Sequence, residues 1–176
     1  YWGTELEDMV AREFAKRTGK KVRRDTKHFA SEKYPFMVAN IDRRVVGEKA
    51  ILECKTVNQF GAKEWEGEEI PASYLVQVQH YIYVTGAEKA YIACLIGGQK
   101  FIWKEIKRDD ELIEMIINAE KDFWKLVEEK TPPALDGSSA AEKYLKERFK
   151  DVQEGTKVAL DSEHKEMIEE YLNLKE

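Results

Sequence analysis

Glu53 and Lys55 lie two residues apart on the apolar stretch Ala50–Thr56, and Asp42 lies a short hairpin upstream. Read as a strand, that stretch puts Ile51, Glu53 and Lys55 on one face and Leu52, Cys54 and Thr56 on the other. The preceding Phe36–Val46 is rich in β-branched and aromatic residues and also reads as a strand. Gly47 and Glu48 between them suit a two-residue type II′ hairpin, whose first central position favours glycine. In that register Val46 faces Lys49, Asp42 faces Glu53 and Asn40 faces Lys55. Carboxylates directly across a ladder sit about 5 Å apart and repel. A divalent cation between them reverses that sign. With an amine alongside, these are the groups that hydrolysis of a phosphodiester needs.

Glu-x-Lys carries little by itself in a chain that is 36% charged. The same spacing recurs at Glu105/Lys107 and Glu128/Lys130. The second pair lies in a charged, helix-like stretch and reads as a solvated face. The first follows the strand-like Phe101–Trp103, but the strand before it, Tyr91–Ile96, offers no acid. Glu53 differs in having an aspartate placed opposite. Taken alone, the trio fits a surface ion-pair cluster as readily as a metal site.

Two further segments must position this trio. Gly3–Gly19 reads as a helix ended by its last glycine. Glu7 lines up with Val10, Ala11 and Phe14, on or beside the buried stripe, while Glu5, Asp8 and Arg12 fall on the other side. A carboxylate turned inward is costly unless something positive meets it. Pro71–Gly86 reads as a second helix, with proline near its start and glycine at its end. Within it Gln77 stands between Tyr74 and Tyr81, an amide among aromatic neighbours. The plainer alternative is a glutamine satisfied at a helix border.

Together these pieces resemble the YqaJ-type viral recombinase and phage lambda exonuclease family of the PD-(D/E)xK nuclease superfamily. The matching residues run in family order: Gly3 and Glu7, then Asp42, then Leu52-Glu53-Cys54-Lys55, then Tyr74, Gln77, Val78 and Gln79. Ile41 stands where the superfamily name expects proline, a departure that touches only the backbone before Asp42. Family members also carry an upstream segment with a Ser-Asp pair and a basic residue. This chain opens at Tyr1, so it is expected to be a fragment or to be numbered from an internal point.

The resemblance implies an α+β fold, a central mixed β-sheet flanked by helices, over residues 1–133, with a helical appendage over residues 134–176. It implies that Asp42, Glu53 and the backbone carbonyl of Cys54 ligate Mg²⁺, for which Mn²⁺ may substitute. Lys55 would orient or deprotonate the attacking water, its pKa lowered by partial desolvation beside a dication. Glu7 would hold a second metal or its water, and Gln77 would position Lys55 or the nucleophile. The implied activity is 5′-to-3′ digestion of linear double-stranded DNA, leaving 3′ overhangs for a single-strand annealing protein. A ring-shaped homotrimer is implied as well. Alternatives are an endonuclease or repair-complex module using the same residues, and a non-catalytic DNA-binding or assembly module. Intact Asp42, Glu53 and Lys55 argue against the last.

Composition excludes several other classes. No apolar run approaches membrane-spanning length and no signal peptide opens the chain, so a cytoplasmic location is expected. Cys54 and Cys94 supply neither a disulfide framework nor the four thiolates that iron–sulfur relatives need. His28, His80 and His164 show no ligand spacing. The net charge of −5 conceals an uneven distribution. Lys16, Arg17, Lys20, Lys21, Arg23, Arg24 and Lys27 crowd together, opposed locally by Asp25 alone. They lead toward Asp42 and suit a phosphate backbone, and a solvated helix end is the equal alternative. Tyr74 joins them as a candidate DNA contact.

The rest of the chain predicts a hairpin around Gly97-Gly98 and a helix over residues 109–130. That helix carries an apolar stripe of Leu112, Met115, Ile116, Ala119, Phe123 and Leu126. Two short amphipathic helices follow, at about 140–150 and 162–174, whose Tyr144, Phe149, Ile168, Tyr171 and Leu172 suit a core or an interface. Between Phe60 and Glu69 an acidic loop is expected to be long and mobile enough to border a DNA channel.

Overall fold

The computed structural model describes residues 1–151, 155, 157, 159 and 161–174. The chain divides into two compact units, Tyr1–Pro132 and Pro133–Glu176.

The first unit is α+β. Helix α1 (Trp2–Thr18) precedes strand β1 (Val22–Arg24), a small hairpin of β2 (Phe29–Ala30) and β3 (Val38–Ala39), and a larger one of β4 (Arg43–Val45) and β5 (Ala50–Val57). A 3₁₀ helix (Gln59–Trp65) and helix α2 (Ala72–Thr85) lead to β6 (Lys89–Ile96) and β7 (Lys100–Lys107), and helix α3 (Asp110–Glu128) closes the unit. The five-stranded sheet has the order β1-β4-β5-β6-β7, with β2 and β3 pairing separately. The β5–β6 pairing is parallel and the others in that sheet are antiparallel, so the sheet is mixed.

Alternation along β5 divides the core. Leu52 packs with Val10, Ala11 and Phe14 of α1 on one face, and Ile51 packs with Val78 and Ile82 of α2 and Ile113 of α3 on the other. With both faces covered, β6 is buried at Ala90–Cys94 and reads as a nearly continuous apolar run. Strand β5 is buried over its first four residues and opens over its last four, so Glu53 and Lys55 straddle the point where it leaves the core. Ligand sites in α/β sheets gather at that carboxyl end.

The hairpin register is the expected one. Arg43 pairs with Leu52 and Arg44 with Ile51, which places Asp42 across from Glu53, and Gly47 takes a positive φ of 85° in the turn. The expected single strand over Phe36–Val46 is broken, however. Its first part pairs with β2 and its last part with β5, and the crossing at Asn40–Asp42 belongs to neither. Asn40 therefore does not face Lys55; its Oδ1 lies 2.5 Å from His28 Nδ1.

Helix α3 buries Ile113 and Ile116, while Met115 and Phe123 are exposed. The stripe is rotated by one position from the expected one, because apolar residues occupy both phases and periodicity cannot choose between them. Glu120, one turn beyond Ile116 and Ile117, bonds His80 Nδ1 at 2.7 Å, and His80 Nε2 lies 2.9 Å from the Val38 carbonyl. His80 thus joins α2 to α3 and β3. Part of the expected acidic loop is the 3₁₀ helix Gln59–Trp65, which packs on the sheet and on α2. Trp65 is 4% exposed and its ring lies tilted against Tyr74, 5.5 Å between centres, while Lys104 donates to the carbonyl oxygens of Trp65 and Glu69.

The second unit contains α4 (Ser139–Arg148) and α5 (Ser162–Leu174). Tyr144, Phe149, Ile168, Tyr171 and Leu172, expected in a core or interface, are exposed. Helix α4 has no buried residue to build a core on.

Candidate active site

Glu53 is 4% exposed, and its two oxygens have different surroundings. Oε1 accepts from Lys55 Nζ at 2.7 Å, whereas Oε2 is buried without a hydrogen-bond partner. Burial, reinforced by the negative charge of Asp42, raises the Glu53 pKa to about 7. Asp42 is raised too, chiefly by burial and then by Glu7, although its Oδ2 accepts from the Cys54 backbone N–H at 2.7 Å. The carboxylate takes a ladder donor just where the backbone of Asn40–Asp42 leaves the sheet. An orphaned, buried acceptor beside a second carboxylate is costly unless a cation arrives. These donors are hard oxygens, so the pair fits Mg²⁺ or Mn²⁺. The Cys54 side chain packs on the α1 side of the sheet. Burial pushes its thiol pKa above the ordinary range, leaving only the backbone carbonyl as a metal donor there.

Lys55 is fixed on several sides. Besides Glu53 it donates to Gln77 Oε1 at 2.8 Å, and its ammonium lies 4.9 Å from the Tyr74 ring centre. Gln77 Nε2 in turn donates to the Tyr81 hydroxyl at 3.1 Å. The spacing of these residues on one face of α2, at i, i+3 and i+7, brings Tyr74, Gln77 and Tyr81 into one row. The lowered Lys55 pKa expected beside a dication belongs to a metal-bound site; in the metal-free chain the shift runs upward. Burial pulls it down, yet the charge and hydrogen bond of Glu53, with Asp42 beyond, outweigh burial and raise it. The neighbouring Gln79 serves the fold: its amide bridges the Lys107 carbonyl at 2.8 Å and the Asp109 N–H at 3.1 Å.

Glu7 does turn toward the site, and the positive partner it needs is Arg43. Nη1 of Arg43 donates to Glu7 Oε1 and, at 2.7 Å, to the Asp42 carbonyl, and Nη2 reaches Asp8 Oδ1 at 3.3 Å. Arg43 and Arg44 alternate along β4, and composition alone does not say which of them faces α1. The signal that could have chosen was the unmet charge of Glu7, since β4 alternation sends Arg43 with Leu52 toward α1.

The basic cluster is dispersed. Lys20 pairs with Glu48 at 2.5 Å and Arg17 with Glu13 at 2.6 Å, while Asp25 is taken by Arg44 at 2.7 Å. The cluster thus has more opposing acid than its local sequence suggests. Lys16, Lys21 and Arg23 are exposed. Arg24 and Lys27 reach the site itself, lining a cavity of about 230 Å³ with Glu7, His28, Asn40 and Asp42. No described helix is long and apolar enough to cross a membrane.

A buried glutamate, a half-buried aspartate and a lysine thus meet at the end of the central strand of a mixed sheet. The chain belongs to the YqaJ-like viral recombinase domain family, whose match covers residues 1–88. It is 56% identical over its full length to the uncharacterized protein YqaJ of Bacillus subtilis (strain 168), and it spans 56% of that protein. In fold it is similar to the alkaline exonuclease LHK-Exo from Laribacter hongkongensis, with a TM-score of 0.66 at 19% identity over 85% of this chain and 74% of that one. The same enzyme in complex with dAMP gives 0.64 at 22% identity, over 86% and 73% of the two chains. A phage-related exonuclease from Haemophilus somnus 129PT matches at 0.56 with 20% identity, over 73% and 71%.

Proposed function

We propose that this chain is the nuclease domain of a divalent-metal-dependent exonuclease that digests linear double-stranded DNA from 5′ to 3′. The observation that carries this reading is the orphaned Oε2 of Glu53, buried beside Asp42 and Lys55. Family membership and the exonuclease names of the structural neighbours support it. Asp42, Glu53 and the Cys54 carbonyl would hold Mg²⁺ or Mn²⁺, which when bound supplies neutralisation of the charge that builds on the scissile phosphate.

The remaining work falls to the chain's own groups. Lys55, clamped between Glu53 and Gln77, presents its ammonium to the attacking water and fixes its direction. Gln77 holds Lys55 through Oε1 and is itself held by Tyr81, so the amine cannot swing toward solvent. Tyr74 presses on Lys55 from the side of the 3₁₀ helix and borders the path of the DNA. Arg24 and Lys27, beside Asp42, steer the phosphate backbone inward. The 3′ overhangs produced would pass to a single-strand annealing protein, in a cytoplasmic setting, with a homotrimer as the working assembly.

The experiment compares 5′-labelled and 3′-labelled linear duplexes with closed circular DNA, with Mg²⁺ or with EDTA. Mononucleotide release from the 5′ end, dependent on Mg²⁺ and absent on the circle, is the expected result. Nicking of the circle would replace exonuclease with endonuclease, and full activity in EDTA would remove the metal.

A further inference from the structure

Three carboxylates gather at this end of the sheet, and each already has a positive or donor partner. Glu53 has Lys55, Asp42 has the Cys54 N–H, and Glu7 has Arg43. Arg43 is 4% exposed, and its guanidinium is fixed by three acceptors, on α1 and on the Asp42 backbone. Its planar fork suits such a buried arrangement as a lysine would not. Breaking a buried pair by removing one partner is strongly unfavourable, so the pair persists in the folded state. Glu7 is therefore occupied by a cation before any metal arrives. Among the described residues no three His, Cys, Asp or Glu side chains converge into a metal cluster. Asp42 and Glu53 form a pair, and Glu7 is engaged elsewhere.

We propose that Arg43 is a built-in counter-ion that keeps Glu7 from ligating a metal directly and limits this site to one tightly bound divalent cation. The proposal rests on the hydrolytic reading above and adds a positioning role for a residue outside the carboxylate pair and the lysine. A guanidinium hydrogen-bonded to Glu7 and to the Asp42 carbonyl repels a second dication from that side of Asp42. Glu7 then contributes by orienting Arg43 and bound water.

The test is Mn²⁺ binding, followed by calorimetry and by electron paramagnetic resonance without DNA, with melting curves as a check on folding. The wild-type chain is expected to bind one Mn²⁺ tightly. Arg43→Gln is expected to tighten a second ion by about tenfold or more. Arg43→Lys should restore the single-ion behaviour, and adding Glu7→Gln to Arg43→Gln should abolish the second ion. Two ions of comparable affinity in the wild type would overturn the proposal, as would an unchanged titration in Arg43→Gln. Should Arg43→Gln fail to fold, Glu7→Gln alone decides: the tight Mn²⁺ should stay within about twofold of wild type, and its loss would make Glu7 a ligand and sink the proposal. A wild type that binds no Mn²⁺ at all would remove the hydrolytic reading itself, a different outcome from two equal ions.

Discussion

Glu48 and Glu53 sit on the same hairpin, one in its turn and one on β5, and the fold treats them in opposite ways. Glu48 accepts from Lys20 at 2.5 Å, from the Tyr91 hydroxyl at 2.8 Å and from Lys89 at 3.1 Å. Led by the Lys20 hydrogen bond, these partners hold its pKa down at about 2. Glu53 has a single cation on one oxygen and nothing on the other, and burial carries its pKa up to about 7. A satisfied carboxylate ties strands together; an unsatisfied one, buried at the mouth of a sheet, is stored cost that a ligand can relieve. The two ends of one hairpin thus separate an architectural acid from a chemical one.

The largest expected effect breaks the comparison by activity. Glu53→Gln, Asp42→Asn and Lys55→Ala should each lower digestion of a labelled linear duplex by about a hundredfold to a thousandfold. Glu48→Gln should leave the rate within about twofold and instead lower Tm by about 3 °C. A rate loss in Glu48→Gln equal to that in Glu53→Gln would erase the distinction.

Metal sharpens it next. Mg²⁺ or Mn²⁺ at a hundredfold excess over Kd should stabilise the wild type by about 2.7 kcal/mol. The shift should vanish in Glu53→Gln and survive in Glu48→Gln. Ca²⁺ should stabilise without supporting turnover. Melting curves with each ion check all three statements.

Proton linkage gives the two acids opposite signatures in metal-free protein. Glu53 moves from an ordinary 4.5 up to about 7, so the folded chain binds its proton more tightly and stability falls as pH rises from 4.5 to 7. Glu48 moves from 4.5 down to about 2, so its contribution is present above 4.5 and lost as pH falls toward 2. Glu53→Gln should flatten the Tm profile in the upper window only, and Glu48→Gln in the lower window only. The same slope in both windows for both variants would show that the two acids are not distinguished in solution.

Much of this was legible from alternation and turn chemistry. A glycine at the first central turn position set the register that puts Asp42 across from Glu53, and the i, i+3, i+7 spacing put Tyr74, Gln77 and Tyr81 in one row. What escaped was whatever long-range pairing decides. Phe36–Val46 has the composition of one strand, but its halves belong to different sheets, and only tertiary partners reveal the break. Apolar residues occupy both phases of α3, and the Glu120 that meets His80 belongs to the phase that is buried. The Arg43–Glu7 pair spans residues far apart in sequence, so its trace was only an inward acid in want of a cation.

The smallest effect concerns the cations around these two acids. Lys20 is spent on Glu48, whereas Arg24 and Lys27 line the cavity that holds Asp42. A cation that contacts phosphate releases counterions, and each contact contributes about 0.9 to the slope of log K against log salt on duplex DNA. Neutralising Arg24 or Lys27 to Gln should therefore reduce that slope by about one and weaken binding equally across sequences. Lys20→Gln should leave the slope as it is while loosening the Glu48 network. Hydrolysis at saturating DNA should change little in all three, because Asp42, Glu53 and Lys55 are untouched. Fluorescence titrations of a short duplex at several salt concentrations measure the slopes directly. Equal slope losses for Lys20 and Lys27 would mean that DNA tracks the whole basic run rather than the side facing Asp42.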